Sequence, residues 1–204
     1  MDDDPELLDA DAVYLRFFDR WLKPADRERR GFAATRPDLL EIAAWRGVAA
    51  ADLSPLADEM RAKVVDQLAR MVAAARADWK ELCAPHDVLA REGLAAIDAA
   101  FDPVAVRELH GADPADFGNA LLVTTCELGG VIGEALRAAR PSLQWVADWP
   151  YWESVLVDRP TGLVLPPFHW AIRKLSSQAA AGGLVERIGV ALTHLSQRAQ
   201  ELRR

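Results

Sequence analysis

The chain has 204 residues, 51% of them hydrophobic and 27% charged, the balance of a globular protein with a sizeable core rather than of a disordered or membrane-embedded one. Lys and Arg total 24 against 31 Asp and Glu, for a net charge of -7. Long-range electrostatics therefore oppose nucleic acid and anionic lipid as partners and favour a basic protein surface.

The opening Met1-Asp2-Asp3-Asp4-Pro5 lacks the basic start and apolar stretch of a secretory leader, so a cytoplasmic chain is expected. Asp4-Pro5, Ser54-Pro55, Asp102-Pro103 and Asp113-Pro114 each set a capping oxygen before a proline suited to the first helical position, marking four helix starts. The first helix is expected over residues 5–22, with Leu8, Leu15, Phe18 and Trp21 or Leu22 inward. Arg27, Arg29 and Arg30, interrupted by Glu28, read as a solvated helix end, and a second helix is expected from Pro37 to the alanines 49–51. The longest helix spans residues 55–82, where Leu56, Met60, Val64, Leu68, Val72, Ala75 and Trp79 recur at helical spacing until Pro85 stops it. Residues 87–101 and 103–109 follow as shorter helices, the latter ended by Gly111. No repeat, low-complexity tract or linker interrupts the chain. A single domain over residues 1–204 is expected, with 1–112 a candidate helical subdomain and 113–204 an α+β part.

Residues 120–139 form the most apolar window, but Glu127 and Glu134 inside it would be costly in lipid, so a helix packed in a protein core is expected. Cys126, Gly129 and Gly133 form a strip without side-chain bulk. Each glycine costs about 1 kcal/mol relative to alanine in a helix, which calls for close approach by another backbone. Residues 143–147, 151–157 and 162–165 read as strands, with Asp158-Arg159-Pro160-Thr161-Gly162 as a hairpin turn. Alternation sends Tyr151, Glu153, Val155 and Val157 to one face and Trp152, Ser154 and Leu156 to the other. Trp149-Pro150 suits a sheet edge. Pro166-Pro167 starts a short helix that turns Phe168, Ile172 and Leu175 inward and His169 with Arg173 to another face. Gly182-Gly183 breaks the chain before an amphipathic helix over residues 184–202. The expected fold is α+β and predominantly α-helical: a helical bundle with a small two- or three-stranded antiparallel sheet in the C-terminal half.

Candidate chemistry concentrates between Cys126 and Lys174. Glu127, Gly130, Glu134 and Arg137 share a helical face, and a covering hairpin would shift the carboxylates toward acid–base or ligand-anchoring work. The plainer account is a polar face with a Glu134–Arg137 pair. His169, beside Trp170 and ahead of Arg173, is the titratable residue best placed for a base, against the plainer account of an imidazole satisfying a neighbouring carbonyl or carboxylate. A ligand site would therefore take Glu127, Glu134, His169, Arg173, Trp152 and Trp170. An interaction edge would take Trp149, Tyr151 and Trp152, since tryptophan and tyrosine are enriched at binding hot spots, although ordinary core packing also accounts for the tryptophans. No two histidines have helical metal-site spacing, no nucleotide or nucleophile-elbow motif is present, and no metal or cofactor is expected. Cys83 and Cys126 are isolated thiols, expected as core residues in a reducing compartment.

Residues 128–175, from Leu128-Gly129-Gly130-Val131-Ile132-Gly133-Glu134-Ala135-Leu136 through Trp145 and Tyr151-Trp152-Glu153 to Pro167-Phe168-His169-Trp170, resemble a segment of uncharacterised bacterial proteins. Those proteins share a G-E-x-L helix, a tryptophan-rich hairpin and a P-F-x-W helix. The resemblance implies a small α+β fold and a bacterial source, and transfers no catalytic role. The expected function is non-catalytic binding or protein interaction, as a regulator or antitoxin-like partner, with a protein partner or a second copy bound. The alternative is a small-molecule-binding protein or enzyme built on Glu127, Glu134 and His169.

Overall fold

The computed structural model describes residues 7–22, 54, 56–179 and 183–203. The expected helix over residues 37–51 and the Arg27 cluster lie outside them. The described elements are α1 (Ala10–Val13), α2 (Asp58–Asp78), α3 (Lys80–Cys83), α4 (Arg91–Ala100), α5 (Pro103–His110), α6 (Ala120–Ala139), β1 (Leu143–Val146), β2 (Val155–Asp158), β3 (Val164–Leu165), α7 (Pro167–Lys174) and α8 (Gly183–Glu201). The fold is α+β and mainly helical, with one antiparallel sheet of order β1-β2-β3. Among the described residues no helix is long and apolar enough to cross a membrane.

Helix α6 is the centre, with every residue from Thr125 to Gly133 buried. A helix enclosed on all sides must meet neighbours around its whole circumference. Its glycines show how. A Cβ on Gly129 would lie 2.3 Å from Cδ1 of Phe168 in α7, one on Gly133 would lie 2.2 Å from Cζ2 of Trp145 in β1, and one on Gly130 would lie 3.2 Å from Cγ2 of Val72 in α2. Close approach does explain the bulk-free strip, but the partners at Gly129 and Gly133 are aromatic rings rather than backbone.

Several helix boundaries move from their sequence-based positions. Asp102 caps α5 as expected, accepting from the Val104 and Ala105 amides at 2.9 Å each. The first helix starts later than Pro5, at Asp9, whose carboxylate accepts from the Ala12 amide. It then widens into a π-helical turn at Tyr14–Phe18 that buries Tyr14, Phe17 and Phe18 together. Asp113-Pro114 makes a turn instead of a start, because the Asp113 and Asp116 carboxylates take the Ala115 and Gly118 amides. The actual cap of α6 is Asn119, accepting from Leu122 at 2.9 Å. Ser54 accepts from the Leu56 amide and also donates to the Ala147 carbonyl, and α2 begins only at Asp58.

The expected strand over residues 151–157 is strand only from Val155. Tyr151–Glu153 is a 3-10 turn held by Glu153 N to Pro150 O at 2.9 Å and Ser154 N to Tyr151 O at 3.1 Å. A strand would send Tyr151 and Trp152 to opposite faces; the turn buries both, with their rings edge to face at 5.2 Å. Trp149 accordingly sits in the loop after β1 and not on a sheet edge. The β2–β3 turn is as expected, with Gly162 at φ 75° closing it through its amide to the Asp158 carbonyl.

Asp158 anchors this hairpin to the end of α6. Its fully buried carboxylate receives Arg140 Nε at 2.8 Å and Nη2 at 2.9 Å, Ser142 Oγ at 2.5 Å and Thr161 Oγ1 at 2.6 Å. Burial alone would raise its pKa, but the hydrogen bonds and charge of Arg140, with the two hydroxyls, outweigh that and hold it below the ordinary carboxylate value. Two predictions follow from the packing. Gly129→Ala and Gly133→Ala should each lose roughly 1–3 kcal/mol in urea denaturation, whereas Gly130→Ala, with only a slight contact to relieve and a better helix former in place, should stay within about 1 kcal/mol of wild type. Arg140→Met, which strands a buried carboxylate, should lose roughly 3 kcal/mol in the same assay.

Candidate functional site

The titratable residues singled out from the sequence go to three separate settings. Glu134 accepts from Arg137 Nη1 at 2.7 Å and, through the same oxygen, from Trp145 Nε1 at 2.9 Å. The expected Glu134–Arg137 pair is present, and the indole that fills the Gly133 notch is fixed by it as well. Glu127 is buried on the α2 side of α6. Burial first, and the nearby Asp78 charge second, raise its carboxyl to about 7.

His169 stands on α7 with its side chain 38% exposed, 3.9 Å from the buried Glu153 carboxylate. Its ring stacks on Tyr14 at 5.8 Å, and the Tyr14 hydroxyl donates to the other Glu153 oxygen at 2.5 Å. From there an aromatic series runs inward through Phe18, Trp152 and Tyr151 to Trp149, with centroids 5.2–5.9 Å apart. Tyr151 and Cys126 are close enough to act on each other's ionisation, so the ribbon also reaches the third member of the bulk-free strip; burial raises both their pKa values. Trp152 and Tyr151 are thus core residues, and Trp149 is half-buried. Tyr14 and Glu153 escaped the sequence reading because they are 139 positions apart. The available signal was a carboxylate in an otherwise aromatic and apolar ribbon.

The structural histidine is His110. Its Nδ1 accepts from the Leu8 amide at 3.3 Å while Nε2 lies 2.9 Å from the Leu175 carbonyl, a geometry that fits the neutral Nε2–H tautomer. Among the described residues no group of three or more His, Cys, Asp or Glu is arranged to hold a metal ion.

An open concavity lies elsewhere. An open groove of about 1450 Å³ runs along α8 from Gly183 to Gln197, walled by Leu89 and Leu94 before and within α4, Ala135 and Ala139 of α6, Leu165 of β3, and Trp170 of α7. Of the predicted ligand residues only Trp170 lines it. Glu127, Glu134, His169 and Trp152 do not, and the exposed Arg173 stands beside its wall. The guanidinium of Arg187 lies 5.8 Å over the Trp170 ring. No family model, curated protein or solved structure matches the chain.

The Glu127 setting has a definite pH signature. Its folded pKa of about 7 exceeds the ordinary 4.5, so between those values the folded chain holds a proton that the unfolded chain has lost, and stability falls as pH rises through that window. Glu127→Gln should flatten this slope and be more stable than wild type at pH 8 by on the order of 2 kcal/mol, as read from urea titrations at pH 5 and pH 8.

Proposed function

We propose that this chain is a non-catalytic, cytoplasmic binding protein that receives a segment of another protein in the groove along α8. The observation that carries this reading is the groove itself: among the described residues, an apolar channel left open beside a core that elsewhere closes tightly around aromatic rings. Its volume of about 1450 Å³ exceeds the roughly 300–1000 Å³ of ordinary small-molecule pockets, and an elongated apolar channel suits a helix lying in it. The buried free thiols Cys83 and Cys126 fit a reducing compartment.

The ionisable candidates fit this reading better than catalysis. Glu134 holds an indole and an arginine, His169 belongs to a node with Glu153 and Tyr14, and Glu127 faces α2. These three therefore do not line a common cavity with reacting groups at hydrogen-bond distance, which acid–base chemistry would require.

Gly189 supplies a direct test, because it lines the groove and a Cβ there meets nothing within 4 Å. Gly189→Leu should project a side chain into the channel from a Cβ that meets nothing within 4 Å, obstructing part of it, and add up to about 1 kcal/mol of helix stability. Peptides selected from a random display library on the wild-type chain should bind that variant at least about tenfold more weakly. Binding that survives this obstruction unchanged would refute the reading.

A further inference from the structure

The charge at one end of the groove identifies what kind of segment fits it. Arg187 is half-buried over Trp170 at the groove wall, and Arg173 is close enough for its charge to act on it. Lys174, next along α7, is already bound to Asp98 at 2.9 Å. Neither Arg187 nor Arg173 has a carboxylate within ion-pairing distance among the described residues, although the chain as a whole is acidic. Glu186 lines the groove as Arg187's chain neighbour without an ion pair to it. A guanidinium held over an indole and partly out of water, with the charge of Arg173 acting on it and no carboxylate among the described residues paired to either, forms an unfilled demand for negative charge. Further along the channel, Arg91 and His194 also line it.

Resting on the groove-binding reading above, we propose that the occupant is an amphipathic helix of a partner protein whose apolar face lies along α8 and whose acidic end docks between Arg187 and Arg173. The groove length fits this: Gly183 to Gln197 is about 15 residues of helix, or roughly 21 Å, room for a partner helix of about four turns. Apolar anchors at i, i+3, i+4 and i+7 would meet Leu94, Ala135, Ala139 and Leu165, and one or two Asp or Glu at the Trp170 end would meet the guanidiniums. The preference is the reverse of what the net charge implies, because recognition reads the local field of the groove and not the sum over the chain.

The test selects random 16-residue peptides on the full chain, with counter-selection on Gly189→Leu, and measures the leading synthetic peptide by fluorescence anisotropy. Enriched peptides should carry helical apolar spacing with Asp or Glu at one end. The Arg173→Glu/Arg187→Glu pair should weaken binding at least about tenfold, and a peptide with Lys replacing those acids should recover affinity for that double variant. Selected peptides without acidic ends, or binding indifferent to the double reversal, would overturn the acidic-helix proposal while leaving the groove reading standing. Failure of any peptide to depend on an open groove would sink both. Displacement of the peptide by dodecanoate at lower concentration than by free peptide, or sedimentation showing a second copy in the groove, would likewise overturn it in favour of those occupants.

Discussion

The side chains that α6 lacks decide where its neighbours sit. Gly129 admits the Phe168 ring, Gly133 admits Trp145, and Gly130 lets the Met71–Val72 turn of α2 come close, so α7, the sheet and the long helix are all seated on one bulk-free helix. Each seat is specific to a shape rather than to general hydrophobicity, since a single methyl group at Gly129 or Gly133 would overlap a ring by more than an ångström of normal contact distance. Polar contacts then lock what the packing has placed. Glu134 holds the Trp145 indole, the Tyr14–Glu153 bond ties the N-terminal helix to the ribbon, and Asp158 clasps the hairpin to Arg140 at the end of α6.

Much of this architecture is legible in the sequence, for identifiable reasons. The apolar window over residues 120–139 coincides with α6, and the glycine strip announces close packing, because glycine in a helix interior is disfavoured unless contact requires it. The Asp158 to Gly162 turn and the Asp102 cap are local chemistry, readable from a few adjacent residues. What is not legible depends on distant partners. Alternation implies a strand at Tyr151–Glu153, and the need to bury two adjacent rings overrides it. The aspartates at 113 and 116 satisfy turn amides, which no proline rule distinguishes from helix capping. His110, with no distinctive local context, bridges the backbone at Leu8 and at Leu175.

The candidate site shows the same division. Of the residues singled out from the sequence, Trp170 lines the groove, whereas Arg187 and the α8 channel are invisible before the helices are placed, because a groove is a property of spacing between elements. Of the two carboxylates that look chemical from the sequence, Glu134 positions an indole, and two that the sequence does not single out for chemistry act in the same way, Glu153 on a tyrosine and Asp158 on a hairpin. Glu127 carries a raised acid, and the main cause is burial on the central helix, the same enclosure that creates the glycine seats.

The seating of rings on α6 is open to direct observation by solution NMR of the wild-type chain. The Gly129 and Gly133 Hα resonances should be displaced from ordinary glycine values by the aromatic currents of Phe168 and Trp145 and should show strong cross-relaxation to those rings, while Gly189, which faces open space, should show neither. Ordinary glycine shifts at 129 and 133, without contacts to those two rings, would contradict the account at its centre.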